Sequence, residues 1–243
     1  MPETLEGRRV VLAGGSGGLG EATAKLLAAE GARLVIGYLD SHIRAERLRP
    51  IADLRASDIR TAEGRRALLE AAPDLYGLVV LVGYPGRGAD EETMRRSLEI
   101  NYLAPALLAR EAAERMRAAA TPGAIVLLAS MQAVYPFENS TAYAAPKVAL
   151  VQAARVLAKE FGGPADIRVN VVAPGVTTAG MAAASVDSGK YERFVSGGII
   201  PRYGRAEDVA RAIRFLLEPD CYITGQVLTV DGGLTLRRDL GAS

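Results

Sequence analysis

Short apolar runs alternate along the chain with longer stretches in which Ala, Leu and Arg recur at helical spacing. Apolar runs bounded by turn residues are typical of strands that are buried on both faces. The runs predict strands at residues 9–13, 33–38, 78–82, 124–129, 167–173 and 227–230, and a short third strand within residues 51–59. The stretches between them predict helices at residues 19–30, 61–72, 91–120, 142–161 and 206–217.

This alternation of strands and helices predicts an α/β fold. Right-handed crossovers between parallel strands give a doubly wound sheet with helices on both faces and one ligand crevice at the strands' carboxyl ends. The sequence contains no low-complexity linker and no internal repeat. We therefore expect residues 1–243 to form a single Rossmann-type domain with about seven parallel strands.

Composition and charge narrow the class of protein. The chain has 243 residues, 49% of them hydrophobic, and a formal net charge of +1. This balance argues against disorder, nucleic-acid binding and a polybasic membrane patch. No apolar run reaches the length of about 18 residues that a membrane span needs, and residues 1–7 are too polar for a signal peptide. We expect a cytoplasmic protein with no membrane partner.

The rarity of cysteine and histidine limits the available chemistry. Cys221 and His42 are each the only residue of their type. An internal disulfide, a cysteine-based zinc site and a histidine-rich metal cluster are excluded, and a Ser-His-Asp triad is disfavoured. We expect no metal, so acid–base chemistry falls to Tyr, Lys, Asp or Glu. Only four of the 29 basic residues are lysines.

A glycine-rich turn follows the first predicted strand. Gly15, Gly17 and Gly20 fit the spacing G-x-G-x-x-G, and Gly14, Gly18 and Gly20 fit G-x-x-x-G-x-G. The alternative is an ordinary turn. Because a strand precedes it and a helix follows, the turn is better explained as a dinucleotide-binding loop whose N–H groups meet a pyrophosphate.

Tyr143 and Lys147 are four residues apart at the start of a predicted helix. That spacing places both on one helix face, where a cation would lower the pKa of a phenol and suit it to proton transfer. Ser130, just after a buried strand, could hydrogen-bond the reacting oxygen. The alternatives are a packed tyrosine, a solvated lysine and a turn serine. Because most basic residues here are arginines, a lysine at this position favours the functional interpretation.

Together these motifs resemble the short-chain dehydrogenase/reductase family, in its single-domain branch similar to 3-oxoacyl and ketone reductases. The resemblance covers nearly the whole chain, including the segments 168–175, 201–210 and 222–233. It implies four catalytic residues, which are Asn101, Ser130, Tyr143 and Lys147. It implies cofactor contacts from Gly14, Ser16, Gly18, Leu19, Gly20, Tyr38, Asp58, Ile59, Gly83, Tyr143, Lys147, Pro174, Gly175, Val176 and Thr178.

The chain departs from the family pattern at several positions. Residues 80–83, Val-Leu-Val-Gly, replace Asn-Asn-Ala-Gly, and we expect a local repacking there without loss of chemistry. Pro146 lies between Tyr143 and Lys147, which a first helical turn tolerates. Ala13 replaces a threonine, and the family's threonine after Pro-Gly corresponds to Thr177 or Thr178. The connection from residue 83 to residue 101 is shortened, which should alter one wall of the pocket.

The resemblance implies an NAD(P)-dependent oxidoreductase that transfers hydride between the nicotinamide and a ketone or secondary alcohol. Ketone reduction is the expected direction. The loops 84–88, 131–137 and 179–200 should contact the substrate, with residues 179–202 as the substrate loop. Their mostly apolar side chains suit a hydrophobic or acyl/polyketide-type substrate, with Tyr84 and Arg87 as polar handles. One alternative is a catalytically silent nucleotide-binding regulatory or scaffold protein. Another, a sugar-nucleotide epimerase, needs a larger substrate domain.

Two further expectations concern the cofactor and assembly. Tyr38 stands at the end of the second strand, where a carboxylate would select NAD, so we expect NADP(H). NAD is the alternative if Asp40 reaches the ribose. Apolar residues on several faces of helices 101–119 and 142–161 predict a homo-oligomer, a tetramer. The residues that carry this expectation are Ala104, Leu107, Leu108, Ala112, Ala149, Leu150, Ala153, Ala154 and Leu157.

Overall fold

Seven parallel strands form one sheet in the computed structural model, which describes residues 4–237. The prediction of a doubly wound α/β fold is confirmed; the ends of the expected domain, residues 1–3 and 238–243, lie outside the described part. The spatial order of the strands is β3-β2-β1-β4-β5-β6-β7. The strands are β1 Arg9–Ala13, β2 Arg33–Tyr38, β3 Ala52–Ala56, β4 Leu75–Val80, β5 Gly123–Leu128, β6 Ile167–Pro174 and β7 Val227–Val230.

Helices connect the strands and cover both faces of the sheet. The α-helices are α1 Gly18–Ala29, α2 His42–Glu46, α3 Ala62–Glu70, α4 Glu91–Leu98, α5 Ala104–Ala118, α6 Thr141–Phe161, α7 Ala183–Asp187, α8 Glu192–Ser196, α9 Ala206–Leu217 and α10 Leu234–Arg237. One buried core lies between the sheet and α3, α5 and α6. A second core lies on the opposite face, beneath α1 and α9.

The direction of winding reverses between β1 and β4. These strands are neighbours, and Leu12 pairs in register with Val79. The chain leaves β1 toward β2 on one side, and it leaves β4 toward β5 on the other. Loops that leave adjacent strands on opposite faces open a crevice at the carboxyl ends. The glycine turn after β1 and the altered residues 81–83 after β4 both border this crevice.

Several elements differ from the sequence prediction in their bounds. The predicted strand 78–82 begins at Leu75 and ends at Val80. The predicted helix 91–120 is α4 and α5 joined by one wide π-helical turn, Glu99–Leu103. Placing Pro146 in the first turn of its helix was wrong, because α6 begins at Thr141 and the proline lies inside it. Lacking an N–H, Pro146 cannot donate the helical hydrogen bond to the Ala142 carbonyl.

The predicted substrate loop folds over the carboxyl end of the sheet. It contains a 3₁₀ turn, Gly180–Ala182, followed by α7 and α8. Phe194, Ile199 and Ile200 from this segment pack with Met131 and Val176 in a third apolar cluster. The substrate loop is thus anchored by Met131, in the segment after β5, and by Val176, in the segment after β6. None of the helices within residues 4–237 is long and apolar enough to cross a membrane.

Candidate active site

The glycine turn after β1 forms a close loop at the start of α1. Gly14 has a φ of +80°, which favours glycine. A Cβ on Gly20 would lie 2.5 Å from the Gly15 carbonyl oxygen, so the turn has no room for a side chain there. No side chain caps the first turn of α1. Its N–H groups and the positive end of the helix dipole are therefore available to an anion.

A cavity of about 780 Å³ extends from this turn to the ends of β2, β3 and β4. Most of the predicted cofactor residues meet here. Ile100 and Ala104, which the sequence did not predict as cofactor contacts, provide an apolar wall on the helical side. The predicted residues that line this cavity are Gly14, Ser16, Gly18, Leu19, Gly20, Tyr38, Asp58, Ile59 and Gly83.

The far end of this large cavity carries charged groups of both signs. Asp58 accepts a hydrogen bond from the Arg60 backbone N–H and two-pronged hydrogen bonds from the Arg60 guanidinium. The hydrogen bond from Arg60 holds the pKa of Asp58 below its ordinary value. Arg44 donates to the Ser41 hydroxyl at 2.6 Å. Asp40, Ser41, Arg44 and Arg60 all line the cavity, and Tyr38 hydrogen-bonds His42 at 3.1 Å.

The large cavity fits a dinucleotide in shape and in hydrogen-bonding chemistry. Four glycines of the turn line it, and a Cβ on Gly18 would lie 3.0 Å from the Gly180 backbone nitrogen. Ser57 also lines it, and its buried hydroxyl has no hydrogen-bond partner in the part of the chain that the structure describes. A narrow glycine cradle and a free hydroxyl are features that a nucleotide with ribose and phosphate groups would use.

Asn101 lies behind the cavity wall, in the π-helical turn, and is fully buried. Its amide accepts a hydrogen bond from the Tyr84 N–H at 2.9 Å and donates to the Tyr84 carbonyl at 2.8 Å. It also donates to the Ser97 hydroxyl at 2.8 Å. The wide turn thus directs Asn101 at the loop after β4, where the family's asparagines are replaced.

Tyr143 and Ser130 meet in a second cavity of about 240 Å³. Burial raises the pKa of the Tyr143 hydroxyl, and the hydrogen bond with Ser130 acts in the opposite direction. The sequence-based expectation of a tyrosine pKa lowered by lysine is therefore not met in this arrangement, where burial dominates. A phenol with a raised pKa keeps its proton at neutral pH and can act as an acid.

Lys147 lies on the same side of α6 and is fully buried. Its ammonium donates to the Leu128 carbonyl at the end of β5, at 3.0 Å, and lies 5.9 Å from the centre of the Tyr143 ring. Burial lowers the pKa of Lys147 to about 8. An isolated buried ammonium costs stability, so its position between β5 and the tyrosine indicates a functional requirement.

The remaining walls of this small cavity come from the loops after β5 and β6 and from the substrate loop. Pro174, Gly175 and Val176 line it, as does Thr177. Thr178 is exposed, lines neither cavity, and hydrogen-bonds the Gly204 carbonyl at 3.4 Å. The structure thus brings Thr177, rather than Thr178, into the cavity.

The predicted substrate contacts divide between the two cavities. Met131, Phe137, Met181 and Ala182 line the small cavity, together with Arg87. Tyr84 instead lines the large cavity, where the Arg96 guanidinium stacks 4.9 Å from the centre of its ring. Val134 is exposed and lines neither. The small cavity is also more polar than expected, because Gln132, Asn139, Ser140, Ser185 and Lys190 line it.

Within residues 4–237, no group of three or more His, Cys, Asp or Glu side chains could hold a metal ion. The site instead consists of a phenol, a hydroxyl and an ammonium next to a nucleotide-shaped cavity. This combination can exchange a proton with a substrate oxygen while a cofactor carries the redox step.

Comparison with known proteins agrees with this chemistry. A family model described as enoyl-(acyl carrier protein) reductase matches residues 13–235. The chain is 32% identical to glucose 1-dehydrogenase of Gluconobacter oxydans, over 98% of this chain and 95% of that protein. It is 30% identical to the 3-oxoacyl-(acyl-carrier-protein) reductase of Thermotoga maritima, over 96% of this chain and 99% of that protein.

Among solved structures, the chain is similar to a variant of actinorhodin polyketide ketoreductase with NADPH. The TM-score is 0.85 at 25% identity, and the match covers 96% of this chain and 97% of that chain. The chain belongs to the short-chain dehydrogenase/reductase family and is an oxidoreductase that uses a nicotinamide cofactor and a small-molecule substrate. A catalytically silent scaffold is not favoured, because the relatives of this chain are named as dehydrogenases and reductases.

Proposed function

We propose that this protein is an NADP(H)-dependent ketoreductase that reduces a ketone to a secondary alcohol. The observation that carries the proposal is the meeting of Tyr143, Ser130 and Lys147 in one cavity. An acid, a hydrogen-bonding group and a fixed cation are the groups that carbonyl reduction requires from a protein. The nicotinamide, when bound, supplies the hydride to the carbonyl carbon.

Tyr143 donates the proton in this scheme. Its hydroxyl proton passes to the carbonyl oxygen, and the product is a secondary alcohol. A phenol is protonated at neutral pH at its ordinary pKa, and burial raises the pKa of Tyr143 further. Reduction is the direction that uses this protonated form. Ser130 hydrogen-bonds the reacting oxygen and orients it toward the phenol.

Lys147 stabilises the phenolate that forms as the proton leaves. Its hydrogen bond to the Leu128 carbonyl fixes the ammonium relative to the Tyr143 ring. A nearby cation favours the anionic form of the tyrosine. We assign Lys147 a second role in holding the nicotinamide ribose, and we assign Asn101 to the cavity wall and to an ordered water of the proton path.

The choice of NADP(H) rests on the charged end of the large cavity. Among the described residues, Arg44 has no carboxylate partner, whereas Arg60 is engaged by Asp58. Arg44 and Ser41 line the cavity next to Tyr38. Tyr38 is the last residue of β2, so no carboxylate stands at the position that would select NAD. A guanidinium with a neighbouring hydroxyl suits the 2′-phosphate of NADP(H). The NADPH in the related ketoreductase structure supports the same choice.

The substrate loop, residues 179–202, and the loop after β5 offer the apolar part of the small cavity. Met131, Met181 and Phe137 would contact the hydrophobic part of a ketone. Phe137 stacks with Tyr191 and Phe194 of the substrate loop, with ring centres 6.3 and 6.4 Å apart. The acyl-type substrate in the name of the Thermotoga relative supports an acyl or polyketide-type ketone here.

We propose a homotetramer, but with contact residues different from those expected. Ala104, Leu108, Ala112, Leu150, Ala154 and Leu157 are buried in the core of the chain itself, because these faces of α5 and α6 pack on the sheet. The exposed apolar side chains of the same region are Leu103, Val148 and Val156. They would form the contact between subunits. A cytoplasmic location stays a prediction from the sequence.

The experiment that tests the proposed function is a cofactor absorbance assay. The purified protein is incubated with NADPH or NADH and a panel of ketones, and in the reverse direction with NADP⁺ or NAD⁺ and secondary alcohols. We expect oxidation of NADPH with at least one ketone. Absence of turnover with every carbonyl and every alcohol of the panel would contradict the proposal.

A further inference from the structure

Gln132 lies two residues after Ser130, in the 3₁₀ turn Met131–Ala133 that follows β5. Its backbone N–H donates a hydrogen bond to the Ser130 hydroxyl oxygen at 3.2 Å. Gln132 lines the small cavity together with Ser130 and Tyr143. Gln132 therefore stands next to the reacting groups, although no motif of the sequence singled it out.

The side-chain oxygen of Gln132 is buried and has no hydrogen-bond partner among residues 4–237. Native proteins rarely leave a buried carbonyl oxygen unpaired, because the loss of hydration is not compensated. Three donor side chains that line the same cavity have other partners. Ser140 donates to the Phe137 carbonyl, and Arg87 donates to the Ser185 hydroxyl. The Lys147 ammonium donates to the Leu128 carbonyl.

We propose that Gln132 is a specificity-determining residue that accepts a hydrogen bond from a hydroxyl group of the substrate. The substrate class is then a hydroxyketone, with the hydroxyl close to the reacting carbonyl. This inference rests on the proposed ketone reduction and narrows its substrate.

The size of the cavity favours a hydroxyl over a bulkier donor. Its volume is about 240 Å³, and Pro174, Gly175 and Val176, which we assign to nicotinamide binding, form part of its wall. The space that remains for a substrate is small, and a hydroxyl is the most compact donor that an organic substrate carries. Met131 and Phe137 can still contact the carbon skeleton.

The test compares matched pairs of ketones. Butanones and cyclohexanones with a hydroxyl one or two carbons from the carbonyl are each paired with the parent ketone, and kcat/KM is measured with NADPH. We expect wild-type protein to favour at least one hydroxylated partner by about tenfold or more, because a site with a buried acceptor rejects a ligand that leaves it unpaired.

Variants separate a role in recognition from a role in structure. Gln132→Met keeps the length of the side chain but removes the acceptor, and we expect the ratio of the two kcat/KM values to fall to about one. Gln132→Glu keeps an acceptor and should keep the preference. Gln152→Met, at an exposed position on α6, is the control and should retain the wild-type ratio. Thermal melting of each variant verifies folding.

Three results would overturn this inference. The first is a wild-type protein that shows no preference for any hydroxylated partner. The second is a preference that survives in Gln132→Met. The third is an equal loss for both members of a pair, since it would mean that Gln132 only supports Ser130. If no carbonyl is reduced at all, the proposed function itself fails, and this inference fails with it.

Discussion

The Asn101 side-chain amide pairs with the Tyr84 peptide through both of its polar atoms, at 2.9 and 2.8 Å. This pair links the π-helical turn between α4 and α5 to the loop that follows β4. The loop forms the wall between the two cavities, with Val82 lining both. The wall is therefore held from the helix side, which explains how the site tolerates Val80 and Leu81 in place of the family's asparagines.

Asn101→Leu should weaken this wall. It removes three hydrogen bonds and leaves the buried Tyr84 peptide without its partner, which should lower the free energy of unfolding by about 2–4 kcal/mol. The KM for the cofactor should rise as well, since Gly83 lines the large cavity. Urea unfolding and steady-state kinetics check both. Ser97→Ala, which removes only the third hydrogen bond, should cost much less; equal losses would argue against the Tyr84 contact as the cause.

Lys147→Met should stabilise the protein at neutral pH. The folded-state pKa of about 8 lies below the ordinary value of 10.5, so folding disfavours the ammonium. As pH falls from 10.5 to 8, the unfolded chain takes up a proton that the folded chain does not, and stability decreases by about 3 kcal/mol. Below about pH 8 this loss is constant.

The measurement is the free energy of unfolding of Lys147→Met and wild type at about pH 7 and near pH 10.5. The variant's advantage should be larger at the lower pH, because the methionine does not titrate. Lys159→Met, at an exposed position on the same helix, should give no such pH dependence. A Lys147→Met difference that is the same at both pH values would contradict the burial of a charged lysine.

Arg44→Ala should reduce the use of NADPH selectively. Loss of a charge-assisted hydrogen bond to a phosphate costs about 1.5–3 kcal/mol, so kcat/KM for NADPH should fall about 10- to 100-fold with little change for NADH. Arg47→Ala, also exposed and outside the cavity, is the control. A wild-type preference for NADH would show that Asp40 selects the cofactor, and Asp40→Ala should then weaken that preference.

Val148→Glu combined with Leu103→Glu should disrupt the proposed assembly. Both side chains are exposed and apolar, and a carboxylate in an apolar subunit contact is strongly disfavoured. Light scattering should then report a smaller particle than for wild type. Ile43→Glu, at an exposed apolar position on α2, should leave the assembly intact. A wild-type particle of 25.6 kDa at micromolar protein would contradict the oligomer itself.

The sequence predicted the sheet because its central strands are almost wholly apolar. Runs such as residues 124–129, which contain only Ala, Ile, Val and Leu, are expected to be buried, and buried parallel strands separated by helices have few possible arrangements. Strand ends were less accurate, since Leu75 and Tyr76 belong to β4 although they follow directly on the turn-forming residues Pro73 and Asp74. The turn of α6 in which Pro146 lies depends on where the helix begins, and that depends on packing around Ser140. The apolar periodicity of the sequence does not reveal this packing.

The site residues that belong to sequence motifs lie together as predicted. The site residues in loops outside those motifs were not predicted correctly. Gly18, Ser130 and Tyr143 line the cavities because short turns tie them to strand or helix ends. Thr177 and Thr178 could not be distinguished, because one residue of register in a loop decides which of them faces inward. Gln132 was missed because its significance lies in an unpaired buried oxygen, which no spacing reveals.

The pKa of Tyr143 illustrates a further limit. The sequence indicated a cation nearby, and Lys147 is there, but the burial of both groups was not visible in the sequence. Burial raises the tyrosine pKa and lowers the lysine pKa. The balance between charge and desolvation depends on three-dimensional packing.

The most direct test of the account is the turnover of Tyr143→Phe with saturating NADPH and any accepted ketone. Because only the proton donor is lost, kcat should fall about 10²- to 10⁴-fold while NADPH affinity and thermal stability stay close to wild type. Tyr222→Phe, at a fully exposed position, controls for the loss of a phenol elsewhere. Near-normal turnover in Tyr143→Phe would contradict the assignment of Tyr143 as the acid.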